Sequence, residues 1–195
     1  MREILELQKK TFLSEGPPSY GVRIDRLNRC ITLLRDYEDR IVQAIKLDFK
    51  SRSRDEIKIS EIDQSIRNIT FTIKNLKKWM KPIGRQASFG AGFLGAKSVM
   101  QPSPLGTVGI IAPWNFPVGM IFYPAASIFA SGNRIMAKPS EITHYTANLI
   151  KEAVEKYFDV AEFAVCLGGP QVGDSFSKLH LDHLLYIGSN KIAKK

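Results

Sequence analysis

The sequence predicts an α/β protein in which an incomplete doubly wound parallel sheet is preceded by N-terminal helices, and three observations carry that prediction. Residues 1–81 repeat apolar side chains at helical spacing. From residue 105 onward, short strand-like runs alternate with helix-like stretches, the order that builds right-handed parallel βαβ units with helices on both faces. The last strand-like run stops near residue 187 of 195, so the sheet is expected to be unfinished at its C-terminal end.

Taken in order, a short first helix is expected before the break at Gly16-Pro17-Pro18. Ile24, Leu27, Ile31, Leu34, Ile41 and Ile45 then form one apolar helical face, with Asp25 as its initiator. Beyond Asp55, a second expected initiator, Ile59, Ile62, Ile66, Ile69, Ile73, Leu76 and Met80 alternate steps of three and four until Pro82. A long helix packed on the domain accounts for this stripe better than a coiled-coil seam, because it is short. Residues 82–104 are rich in Gly and Pro and read as a loop with an extended segment at 97–101. Strand-like runs follow at 105–112, 133–138, 163–167 and 183–187. Helix-like stretches at 118–130, 143–158 and about 171–178 separate them, and another begins at Ser189.

One motif inside the loop is misleading. Gly90-Ala91-Gly92-Phe93-Leu94-Gly95 fits the G-x-G-x-x-G pattern, which holds a phosphate only when a strand leads in and a helix leads out. Neither flank is present, so the match is rejected.

Composition narrows the class of function. The hydrophobic share is 44% and the charged share 24%, ordinary for a soluble globular chain. A net charge of +9 invites a nucleic-acid partner, but 18 basic and 12 acidic residues lie in 1–81 and 10 and 7 in 82–195, so the excess is spread. The densest basic spots, around Lys50 to Arg54 and Lys74 to Lys81, lie near expected helix ends, where cations are favoured. No aromatic side chains interleave with them as a stacking platform requires, and no nucleic-acid partner is expected. No apolar run is long enough to span a bilayer and no leader pattern is visible, so the chain is expected to be cytoplasmic.

The chemistry-bearing residues gather at the expected strand ends, where doubly wound sheets place ligands. Pro113-Trp114-Asn115-Phe116-Pro117 follows the first strand, and its two prolines stiffen a turn that can aim the Asn115 amide as an oxyanion donor. Lys138-Pro139-Ser140-Glu141 follows the second strand, with the Lys and Glu held apart by a proline turn. Gly188-Ser189 follows the fourth and opens a helix, a generic anion site. Singly, each has a plain structural account: a surface ion pair for Lys138 and Glu141, a turn and cap for Gly188-Ser189, a core Trp114, a left-handed Asn115. Their recurrence at the strand ends of one sheet favours a dinucleotide site.

The segments 104–117 (PLGTVGIIAPWNFP) and 132–141 (GNRIMAKPSE) resemble the aldehyde dehydrogenase superfamily, and the likeness covers nearly the whole chain. The short N-terminal lead-in is most similar to the class of fatty, aromatic and coniferyl aldehyde dehydrogenases. The resemblance implies a Rossmann-like sheet that binds NAD, with NADP as the other option. It implies that Lys138 and Glu141 hold the adenosine ribose hydroxyls, with Ser140 of the same turn and Pro113 of the turn after the first strand also cofactor-binding. Trp114 and Ser189, with Gly188, would contact the pyrophosphate, and Asn115 would form half of the oxyanion hole. Gly169-Pro170-Gln171-Val172-Gly173 is similar to the glycine-bearing turn beside the adenine, so Gly169 and Gly173 are also cofactor-binding candidates. Ile187 stands where the family usually has Thr.

The same resemblance implies a nucleophilic Cys and a water-activating Glu in segments beyond Lys195. Cys30 lies within an amphipathic helix and Cys166 within a buried-looking strand, so neither suits that role. His180 and His183 offer too few ligands for a metal site. The chain is therefore expected to be the N-terminal, cofactor-binding portion of an enzyme acting on an aldehyde, without turnover alone. It would comprise a helical region (1–81), a loop and extended segment (82–104) and a βαβ region (105–195), with a homo-oligomer or a complementary C-terminal half as the expected partner. The alternative is a non-catalytic remnant that serves as an oligomerising or interaction module.

Overall fold

A computed structural model describes residues 1–87 and 95–194. The fingerprint-like Gly90 to Gly95 falls, up to Leu94, outside the described residues. Helix α1 (Arg2–Glu15) ends at Gly16, whose φ of 69° needs no Cβ. Helix α2 (Tyr20–Asp36) is capped by Ser19, whose hydroxyl accepts from the Val22 N–H at 3.3 Å. The expected initiator Asp25 instead sits inside the helix and pairs with Arg29 one turn on, at 2.8 Å. A break at the buried Tyr37 separates α2 from α3 (Glu38–Phe49), so the face from Ile24 to Ile45 is carried by two helices.

The isoleucine stripe contains a second correction. Helix α4 (Arg54–Ile57) is capped by Ser53 rather than started by Asp55, because the Ser53 hydroxyl reaches the Glu56 N–H at 3.1 Å. It runs on through a π turn (Lys58–Asp63) into α5 (Gln64–Trp79). The wider π turn shifts the inward face by about one residue. Ile57 and Ile62 are therefore both fully buried, Glu61 is buried beside them, and Ile59 is 59% exposed. From Ile62 onward the stripe packs as its spacing predicts, with Ile69 and Leu76 in the core and Ile66, Ile73 and Met80 against it.

The 82–104 region holds an antiparallel pair, β1 (Ile83–Arg85) with β2 (Ser98–Met100). The second lies in the expected extended segment; the first had no sequence signal.

The remaining elements are β3 (Thr107–Ile111), α6 (Gly119–Ala130), β4 (Arg134–Lys138), α7 (His144–Tyr157), β5 (Phe163–Val165), α8 (Pro170–Ser177), β6 (His183–Tyr186) and the single turn α9 (Asn190–Ala193). The sheet order is β5-β4-β3-β6, parallel throughout. Strands β3 and β4 are central and nearly all buried, as two-sided cover by helices requires. The chain winds outward from β3 through β4 to β5, then returns to place β6 on the other side of β3. That reversal is a topological switch point, and it opens a crevice outside the carboxyl ends of β3 and β6.

Most of the apolar core lies among α2, α3, α5, α6 and α7 on one face of the sheet. Leu5, Met136, Ala164, Cys166 and Phe176 form a smaller cluster on the other, under α1 and α8. Helix α1 is pinned to the sheet by the buried Gln8, whose amide donates to the Ile135 and Val160 carbonyls at 3.0 and 2.9 Å. Among the described residues, no helix is long and apolar enough to cross a membrane.

Candidate active site

Because the four strands are parallel, the turns that leave them emerge along one edge. Backbone bonds stitch that edge together: Ala112 N–H to the Lys138 carbonyl at 3.0 Å, Ile187 N–H to the Ile111 carbonyl at 3.0 Å, and Cys166 N–H to the Ala137 carbonyl at 2.8 Å. Across the sheet the order is Gly169, Lys138, Asn115, Ser189, each at or a few residues beyond the end of its own strand.

Lys138 ends β4 and is only 4% exposed, yet its ammonium reaches the Glu141 carboxylate at 2.7 Å. The proline turn thus closes the pair rather than holding it apart, because a single 3₁₀ turn (Glu141–Thr143) brings residue 141 back over residue 138. Ser140 caps that turn through Ile142 N–H at 3.3 Å. Burial opposes ionisation of Glu141, but the Lys138 ammonium outweighs it and holds the carboxyl below its ordinary value. Glu141 borders a cleft of about 220 Å³ lined also by Pro139, Ser140, His144, Leu167, Gly168 and Gly169 among others. Gly169 caps α8 with open space where a Cβ would stand, and a Cβ at Gly173 would lie 3.8 Å from the Lys138 stem.

The 113–117 turn lies one strand over. Trp114 is half exposed and stacks on Phe49, with ring centroids 6.1 Å apart, so it is not a core residue. Asn115 is exposed and its φ is not positive, which removes the left-handed turn reading. Its backbone carbonyl accepts a hydrogen bond from Arg52 Nη2 at 2.5 Å. Arg52 Nη1 donates at 3.2 Å to Glu61, whose other carboxylate oxygen accepts from the Gly119 and Val118 N–H groups at 2.7 and 3.1 Å. Burial pushes the Glu61 carboxyl up to about 7, against the pull of those donors and of Arg52.

At the far side of the crevice, Gly188 admits the Tyr186 ring, since a Cβ there would lie 2.3 Å from its hydroxyl. Ser189 precedes α9, and its carbonyl accepts from Ala193 N–H at 3.1 Å.

The sequence profile of the aldehyde dehydrogenase family matches residues 18–195. This chain belongs to the aldehyde dehydrogenase family. It is 44% identical over its full length to the "Probable coniferyl aldehyde dehydrogenase" of Caulobacter vibrioides, and 39% identical over 97% of its length to a Pseudomonas "Coniferyl aldehyde dehydrogenase". In each case it spans about two fifths of the relative's length. Among solved structures it superimposes on substrate-bound AldH of Staphylococcus aureus with a TM-score of 0.93 at 28% identity, covering 98% of this chain and 41% of that one.

Within this aldehyde dehydrogenase family chain, neither cysteine reaches the crevice chemistry. Cys30 is fully buried and Cys166 nearly so, and burial pushes both thiols above their ordinary value, away from the reactive thiolate. Asp182, between the two histidines, is used structurally: it accepts from Thr107 N–H at 2.8 Å and faces Lys9 at 3.6 Å. Sequence reasoning missed Arg52, which lay in a basic spot ascribed to a helix end, and Glu61, which is not part of the isoleucine stripe. The π turn that turns Glu61 inward leaves no mark in the periodicity.

Proposed function

We propose that the chain is the cofactor-binding portion of an NAD(P)-dependent aldehyde dehydrogenase that oxidises an aldehyde to a carboxylic acid. The observation that carries this reading is the Lys138–Glu141 pair at the carboxyl edge of β4, beside an open cleft and one strand from the Asn115 turn. The residues fit a dinucleotide. The Glu141 side chain is 39% exposed and held ionised, so its free acceptor positions can take the adenosine ribose hydroxyls. A negative carboxylate there disfavours a 2′-phosphate, while the adjacent ammonium softens that preference, so NAD is the first choice and NADP the second. Gly169 and Gly173 leave room beside the adenine, with Ser140 fixing the turn. Pro113, Trp114, Gly188 and Ser189 border the crevice toward the pyrophosphate.

The nicotinamide, when bound, supplies the hydride acceptor. The chain's own contribution to the reaction is Asn115, whose side-chain amide donates to the aldehyde oxygen as negative charge develops there. The nucleophile and the water-activating carboxylate are assigned to segments outside these residues, since both thiols here are buried. In this reading 1–81, 82–104 and 105–195 act as one cofactor-binding part, whose partner is a second copy of the chain or a complementary half that supplies the missing groups.

Calorimetric titration with NAD tests the reading: saturable binding is expected, and no binding by the chain alone or with the complementary half would overturn it. Aldehyde-dependent NAD reduction by a homogeneous sample of the chain is expected to be undetectable; its appearance would overturn the assignment of the nucleophile. A second reading, an interaction module without catalysis, is favoured by β6, an edge strand whose Leu184, Leu185 and Tyr186 are only half buried. It predicts concentration-dependent self-association in sedimentation together with no affinity for NAD.

A further inference from the structure

The 113–117 turn is held from below by groups that a bare strand-to-helix connection does not need. The Arg52 guanidinium lies 3.9 Å from the centre of the Phe49 ring and 5.3 Å from that of Phe116, so it sits between two aromatic faces. Phe49 also carries Trp114. From that position Arg52 spends one nitrogen on the Asn115 carbonyl and another on Glu61. Glu61 in turn takes the first free N–H groups of α6, which otherwise have no acceptor in a buried helix start. Each residue from Trp114 to Gly119 except Pro117 is thus gripped by the 49–61 segment, and Pro117 restricts Phe116 by itself.

We infer that Arg52 and Glu61 are positioning residues for Asn115, a two-sided brace that fixes the backbone on either side of the Asn115 amide before substrate arrives. The inference rests on the reading of Asn115 as oxyanion donor. An oxyanion donor contributes most when it need not reorganise during reaction, and the amide of an exposed asparagine on a free turn would have to. Fixing the Asn115 carbonyl fixes its ψ, and fixing the 118 and 119 amides fixes where the turn re-enters the helix. The two acceptors and the guanidinium form one connected network, so loss of either side chain loosens both ends.

The test uses the full chain without NAD or aldehyde, so it is independent of the cofactor reading. The substitutions are Arg52→Met, Arg52→Lys and Glu61→Gln. Two readouts are followed by NMR: the side-chain amide signal of Asn115, and hydrogen exchange at Val118 and Gly119, with Ile41 and Ile45 of α3 as references. The expected result is a shifted or broadened Asn115 signal in R52M, partly restored in R52K. In E61Q, exchange at Val118 and Gly119 is expected to rise about tenfold while α3 is unchanged. An unchanged Asn115 signal in folded R52M would overturn the brace. So would exchange that rises equally in α3 and the turn, since that marks a general loss of stability. If E61Q does not fold, the Arg52 variants decide, as that side chain is 15% exposed. Loss of NAD binding with both readouts as expected would sink only the proposed function.

Discussion

Glu61 and Glu141 each face one cation, yet their surroundings move them in opposite directions. Glu61 is fully buried, and desolvation outweighs Arg52 and two backbone donors to leave it titrating near 7. Its folded value lies above the ordinary 4.5, so its contribution to stability is fully present below about 4.5 and is lost as pH rises through about 7. The other ionisable groups near it are Arg52, Tyr123 and, beyond Arg52, Glu56. Urea denaturation at about pH 5 and about pH 8 should show the chain losing more stability between the two than its Glu61→Gln variant does; equal losses would show that Glu61 stays ionised throughout. Glu141 belongs to the opposite case, held ionised by Lys138 at the rim of a cleft. Glu141→Ala should weaken NAD binding by about tenfold in calorimetry and also lower the melting temperature, because it leaves the Lys138 ammonium, whose side chain is 5% exposed, without its carboxylate.

At the scale of elements, the π turn decides what the α4–α5 helix presents to the sheet. A continuous α-helix would have kept Ile59 inward with the rest of its stripe. With the turn in place, Ile57 and Ile62 are buried and Ile59 faces solvent. Two substitutions separate these geometries. Ile62→Ala should cost about 2–4 kcal/mol, the cost of a cavity at a fully buried position. Ile59→Lys should cost less than about 0.5 kcal/mol, as expected of an exposed site. A large loss for Ile59→Lys in chemical denaturation would contradict the π turn, and with it the route by which Glu61 reaches α6. The same comparison explains why the helix was legible and its phase was not. Steps of three and four identify a helix, but one wider turn changes which face is inward without altering residue types.

Over the whole molecule, a few long-range polar contacts dock the helices onto the sheet. Arg26 and Arg29 of α2 close on Glu162, just before β5, at 2.9 and 2.8 Å. Burial opposes ionisation of Glu162, and the two guanidiniums more than offset it, so its carboxyl is held below the ordinary value. Its stabilising contribution is therefore present above the ordinary carboxylate range and is lost as pH falls through the depressed value. Glu162→Gln should lower stability at neutral pH by about 2 kcal/mol, and the difference should shrink on acidification. A constant difference across pH would mean that packing, not charge, carries the contact. The Asn133 side chain, whose oxygen accepts from Leu105 and Gly106 N–H at 2.7 and 2.9 Å, makes a comparable tie at the entry of β3. It was read from sequence only as the first residue of a strand.

By itself the sequence determined what depends on local chemistry. The alternation of strand and helix after residue 105, the helical lead-in, and the stiff Pro113–Pro117 turn follow from side-chain periodicity and from proline's fixed φ, which act over a few residues. The motifs around Asn115 and Lys138 pointed to the family for the same reason. Tertiary structure alone decided the rest, because it depends on groups brought together from distant parts of the chain. It set the strand order that opens the crevice and the phase of the isoleucine helix, whereas the closing of Lys138 on Glu141 is the work of one local 3₁₀ turn. It also delivered Arg52 and Glu61, from a segment more than fifty residues upstream, to the underside of the Asn115 turn.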